Sequence, residues 1–144
     1  MKLYIYFVML LSCGMVILTG CKDNNFHNAL LVVESFHNKF SSSDFNGIYI
    51  DLVSKEFKKS MTKSDYFKLM KKNRELLGKY QYGRLLKNDQ MKVLIGENKT
   101  TISYHSTYNN YELNDFFVIK KEGDKSKISQ IVYDDIHAIK IKDK

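Results

Sequence analysis

From its first residues the chain is apolar without interruption between Leu3 and Leu18, apart from Ser12 and Gly14. That run of 16 residues is shorter than the ~20 needed to span a bilayer and close to the apolar region of a secretory signal. After the polar stretch Lys22-Asp23-Asn24-Asn25, apolar residues return at Phe26, Leu30, Val33, Phe36 and Phe40. Steps of three and four predict a helix, ending at Ser41-Ser42-Ser43. Ile48, Leu52, Val53 and Phe57 share one face of a second, shorter helix, with Asp44 as its cap. A third helix starts at Thr62, with Asp65 three residues on in a capping-box variant. It carries Tyr66, Leu69, Met70, Leu76 and Leu77, and stops at Gly78.

Past Gly78 the period falls to two. Residues 79–88 and 91–95 read as strands, with Gly83 marking a bulge, and 96–99 as a turn. Thr100–Tyr108 sets Ile102, Tyr104, Ser106 and Tyr108 against Thr101, Ser103, His105 and Thr107. Asn109-Asn110 then suits a two-residue hairpin. Tyr111–Lys121 and Lys127–Tyr133 are further strands around a turn at 122–125, and the tail from Ile136 to Ile141 extends the last strand or forms a separate one. About three N-terminal helices packed on a curved antiparallel sheet of about four strands make an α+β domain, with one helix across the concave face.

Leu18-Thr19-Gly20-Cys21 follows the charged and apolar start at the right distance, and resembles the lipobox of bacterial lipoproteins. The resemblance implies cleavage between Gly20 and Cys21, with lipidation (diacylglyceryl and palmitate-type chains) on Cys21. Two or three acyl chains hold a protein to a membrane without any span. Residues 1–20 are then a signal peptide, 21–25 a lipidated cysteine with a short tether, and 26–144 one domain. With Cys13 discarded and Cys21 modified, no thiol remains for a disulfide, a zinc site or a nucleophile. The place implied is the cell envelope. In a double-membrane bacterium, Lys22 in place of Asp implies the periplasmic face of the outer membrane.

The net charge of +7, or +6 without Lys2, suits anionic envelope surfaces, and export argues against nucleic acid as a partner. The lysines are dispersed, so a generally basic solvated surface outweighs a dedicated polyanion site. Catalytic patterns are missing: no Gly-x-Ser-x-Gly elbow, phosphate-binding glycine loop or His-Glu-x-x-His occurs. His27 and His37 face different sides of one helix, and with His105 and His137 they read as surface or boundary residues; no metal or cofactor is expected. Asp134 and Asp135, with Asp115 and Glu112, are expected as solvated acids near one sheet edge. Arg74 and Arg84 are the only arginines. Their planar forks suit carboxylates, so each is expected to line a helix–sheet cavity or to hold Glu75 or Glu112. Tyr80, Tyr82, Tyr104, Tyr108, Tyr111 and Tyr133 fall mostly in strands, as core packing or as a partner-binding sheet face.

The order of helices and meander resembles NTF2-like and cystatin-like domains. The segment Met61–Leu85 carries an aromatic at Tyr66, Arg74 before Leu77-Gly78, and Arg84 opening the first strand. It resembles the DUF4019-type pattern, departing from it in having no Trp. The resemblance brings little function, because such folds host binders and enzymes alike. The expected function is that of a non-enzymatic, membrane-anchored lipoprotein binding a protein or envelope component, an inhibitor or immunity role being one form. The alternative is a small-ligand-binding or weakly enzymatic pocket on which Arg74, Tyr104 and Glu112 converge.

Overall fold

A computed structural model describes residues 24–86 and 99–141. Helix α1 spans Asn24–Ser41 and buries Ala29, Val33, Phe36, His37 and Phe40 along one stripe. The next segment is not the single helix that its apolar positions suggest. Asp44 caps one turn of α-helix, α2 (Phe45–Gly47), through its carboxyl and the Gly47 N–H at 2.9 Å. A π-helical turn (Ile48–Leu52) follows, and Val53 is extended (φ −85°, ψ 150°). Ser54 then caps a separate helix, α3 (Lys55–Ser60), by accepting from Phe57 N–H. The break has a cause in pairing: Val53 bridges Ile128 and Ser54 N–H donates to the Ile128 carbonyl at 2.8 Å. Backbone bonds to the sheet displace helical ones there. Helix α4 (Lys63–Leu77) has the expected ends, with Thr62 Oγ1 accepting from Asp65 N–H and Gly78 at φ 81°. A Cβ on Gly78 would lie 2.6 Å from Asn109 Cβ, so both the backbone and the space demand glycine.

The strands are β1 (Tyr80–Leu85), β2 (Lys99–Tyr108), β3 (Tyr111–Glu122), β4 (Lys125–Tyr133) and β5 (Ile139–Lys140). They form one antiparallel sheet in the order β1-β2-β3-β4. The tail does not extend β4; β5 pairs with Tyr111 and Glu112 of β3 instead. The hairpin at Asn109-Asn110 joins β2 to β3 as expected, while the strand read at 91–95 and most of the turn at 96–99 lie outside the described residues.

Two irregularities set the faces of the sheet. Between β3 and β4 the register skips Ser129, so Ile128 and Ile131 both point to the core although they are three residues apart. Between β1 and β2 it skips Gln81, not Gly83. Gly83 has another purpose: a Cβ there would lie 2.6 Å from the Tyr80 hydroxyl, which crosses the strand at that point. Helix α1 lies over the inner face, with Phe40 edge-on to Tyr108 (5.9 Å between centroids) and Phe36 edge-on to Phe117 (5.1 Å). The core comprises this stripe together with Ile48, Val53, Tyr66, Met70, Leu77, Ile102, Leu113, Ile119 and Ile128.

Candidate functional site

The inner face holds a polar cluster where apolar packing would be expected. Asp115 is fully buried in β3, and its carboxyl accepts from His37 Nε2 (3.1 Å), Tyr108 Oη (2.9 Å) and Ser106 Oγ (2.9 Å). A buried carboxyl needs such partners, because desolvation without them costs several kcal/mol. Tyr80 stacks flat on His37, centroids 3.9 Å apart, and Tyr104 and Phe117 meet the imidazole edge-on. Burial, reinforced by Asp115, pushes the Tyr80 hydroxyl up to about 12. The Tyr108 hydroxyl is likewise held well above its ordinary range, mainly by burial. His37 and Asp115 therefore depart from expectation: one was read as a boundary histidine, the other as a solvated edge acid. Asp115 alternates with Leu113 and Phe117, and His37 stands one turn from Val33 and from Phe40; these are the available signals.

Serine, histidine and aspartate meet here, but not in the order of nucleophilic catalysis. A triad places the imidazole between hydroxyl and carboxyl; here Asp115 lies between Ser106 and His37. Among the described residues no imidazole faces the Ser106 hydroxyl, and both Ser106 and Asp115 are closed to solvent. The cluster fastens α1 to β2 and β3.

The second feature is a half-open groove of about 600 Å³ between α4 and the end of the sheet where β3 begins and β4 finishes. Leu69, Met70, Leu76 and Leu77 come from α4, Leu113 and Tyr111 from β3, and Ile131 and Tyr133 from β4. Leu69 (42 % exposed) and Leu76 (53 %) stand at its mouth. Asp135 and Ala138 complete the lining, and their chain neighbours Ile136 (86 %) and Ile139 (61 %) are exposed. Tyr66 closes the back, its buried hydroxyl without a hydrogen-bond partner among the described residues. Burial raises the pKa of the Tyr66 and Tyr133 hydroxyls well above the usual tyrosine value.

The residues singled out from sequence do not converge on this groove. Arg74 turns from it and donates through Nη2 to the carbonyl of Ser41 (3.3 Å), a cation set at the end of α1 where the helix dipole favours one. It holds neither Glu75 nor Glu112. Arg84 is exposed on the outer face, paired in register with His105. Tyr104 packs inward against His37. Glu112, half-buried, stands 3.8 Å from His105 Nε2. The acids also separate: Asp115 is internal, while Asp134 accepts from His137 N–H and pairs with its ring at 2.7 Å. Nor do the tyrosines make a solvent-facing aromatic sheet. Tyr80, Tyr104, Tyr108 and Tyr133 occupy inward register positions, and Tyr82, 66 % exposed, faces out. Alternation along a strand fixes this, because inward Ile102, Ser106 and Phe117 bring the tyrosines beside them inward too.

Among the described residues no group of three or more His, Cys, Asp or Glu is placed to hold a metal ion, and no helix is long and apolar enough to cross a membrane. Compared with family models, curated proteins and solved structures, the chain shows no significant match.

Proposed function

We propose that the chain is a lipid-anchored, non-enzymatic protein of the bacterial cell envelope whose domain binds a partner protein or envelope component through the groove under α4. Leu18-Thr19-Gly20-Cys21 supports the anchor on Cys21. The observation that carries the binding role is the gathering of exposed Leu69 and Leu76 with Met61, Met70, Tyr111 and Ile131 in the lining of one apolar groove. Isolated exposed aliphatics are ordinary, whereas several around a concavity mark an interaction site. Helices laid on an antiparallel sheet support an NTF2-like or cystatin-like reading of the fold.

A second reading is favoured by the groove's size. About 600 Å³ lies within the ~300–1,000 Å³ typical of small-molecule sites. A small, mostly apolar ligand would fill it.

Photo-crosslinking in intact cells separates the two. A benzophenone side chain replaces Lys72, which lines the groove, and a control replaces Arg84 on the outer face. A single identified protein adduct from position 72, lost when Leu69→Glu and Leu76→Glu are added, supports partner binding. An adduct of small mass moves the role to ligand uptake. No specific adduct from position 72 refutes the groove. Mass spectrometry of the membrane-extracted protein tests the anchor: acyl mass on Cys21, abolished by Cys21→Ala, is expected, and an intact unmodified N-terminus overturns it.

A further inference from the structure

We infer that the end of the molecule opposite the groove is a membrane-docking face, a lysine-lined trough that seats on anionic phospholipid headgroups. Lys55, Lys58 and Lys59 reach it from α3, Lys120 from β3, and Lys125 and Lys127 from β4. The acids in its lining are Glu56 and Glu122. Both are engaged: Glu56 pairs with Lys120 at 2.7 Å, and Glu122 Oε1 accepts the N–H of Lys55 at 2.8 Å. Six cations against two acids leave a surplus of four.

The trough surrounds an apolar tip. Ile50, 53 % exposed, stands on the π-helical turn, whose carbonyls are held by two of the lysines. Lys58 Nζ donates to the Ile50 carbonyl (3.3 Å), and Lys127 Nζ to that of Asp51. Asp51 itself is turned to Lys39, 3.6 Å away. Ammonium groups around one protruding aliphatic side chain match a headgroup layer, with charge at the phosphates and the isoleucine below them.

The direction of α1 puts this face on the bilayer side. Its C-terminal Phe40 lies at Tyr108, and Phe36, one turn earlier, lies at Phe117, further toward the β3–β4 turn. Helix α1 therefore runs antiparallel to β3, and its N-terminus points toward the end of the sheet that carries Glu122 to Lys125. Asn24 begins α1 three residues after Cys21, so acyl chains there would hold the trough against the membrane. The orientation rests on the lipid-anchor reading; the attraction between lysines and anionic lipid does not.

The test uses the full-length chain reconstituted into vesicles of phosphatidylcholine alone or mixed with phosphatidylglycerol. A donor dye is placed at Asp124→Cys beside the trough, or at Ile136→Cys by the groove, each with Cys13→Ser. Energy transfer to a headgroup acceptor then reports proximity. Transfer from position 124 is expected to rise with phosphatidylglycerol and collapse at high salt, with position 136 remaining distant. The docked-to-free ratio should fall roughly five-fold for each of Lys55→Gln, Lys59→Gln and Lys125→Gln. All three side chains are exposed, so an unchanged circular dichroism spectrum and urea midpoint are required of the variants. If the protein floats with both vesicle types but shows equal transfer, the docking face is refuted and the anchor stands. Salt-sensitive flotation with phosphatidylglycerol vesicles alone supports the face and refutes the anchor. No flotation with either overturns both.

Discussion

Replacing Asp115 by alanine should be among the most damaging single changes in this domain. The substitution removes one acceptor group that serves three donors: His37 Nε2, Ser106 Oγ and Tyr108 Oη. His37 is 3 % exposed and the other two are fully buried, so bulk water cannot take over. A buried donor left unmatched costs about 1–3 kcal/mol. Three of them, with one water admitted to the vacated space, give roughly 3–5 kcal/mol, the cost typical of breaking a buried pair. Against a total stability of about 5–15 kcal/mol this moves the urea midpoint by roughly 2 M. Asp115→Asn should cost much less, about 1–2 kcal/mol. Its oxygen can still accept from His37 and Tyr108, and the Ser106 hydroxyl can rotate to accept from the amide. Urea unfolding followed by far-ultraviolet circular dichroism measures both. An alanine variant within ~0.5 kcal/mol of the parent, or an asparagine variant as unstable as alanine, would sink the argument from hydrogen-bond satisfaction.

Gly78→Ala should destabilise by about 1–3 kcal/mol in the same assay, since a positive φ and a Cβ pressed on Asn109 act together. Ser54→Ala removes the α3 cap and should cost about 1 kcal/mol. In alkali, the raised tyrosines Tyr66, Tyr80, Tyr108 and Tyr133 contribute stability that is complete below the ordinary tyrosine value and lost as pH rises through their folded values. Ultraviolet titration should show these phenols ionising late and together with unfolding; independent ionisation near pH 10, the ordinary value, would contradict the burial. In acid, Asp44, Glu56 and Asp134 are held below the usual carboxylate range by Lys39, Lys120 and His137 respectively. Their contribution is present above the ordinary value and fades as pH falls through the depressed ones. Thermal melts in acid should show that loss, reduced in Asp44→Asn.

The α+β class and most element ends were legible because they depend on local signals: a capping threonine, a stopping glycine, an Asn-Asn hairpin, and periods of 3.6 and two. What stayed hidden depends on partners distant in sequence. Val53 leaves a helical pattern because Ile128 offers a backbone bond, and no local rule announces that. Asp115 and His37, 78 residues apart, look like unrelated polar residues until the sheet brings them to 3.1 Å. The groove's exposed leucines were visible as an apolar stripe on α4, but periodicity alone does not say which of its members remain uncovered. Arg74 misled for a similar reason: a guanidinium suits a carboxylate, yet the nearest acceptor turned out to be a backbone carbonyl at a helix end.

The bridge between Val53 and Ile128 has a further consequence. Among the described residues β4 is a border strand of the sheet, and an open strand border offers unpaired amides and carbonyls to any similar strand nearby. The extended residue at 53 and the N–H of Ser54 occupy that border midway, beside the skipped residue Ser129, which already bends the strand. On the lipid-anchor proposal, copies would be crowded into two dimensions on a bilayer and would meet far more often than copies in solution. With this border stapled, such encounters would not find in β4 an uninterrupted template for zipping molecules into a continuous sheet.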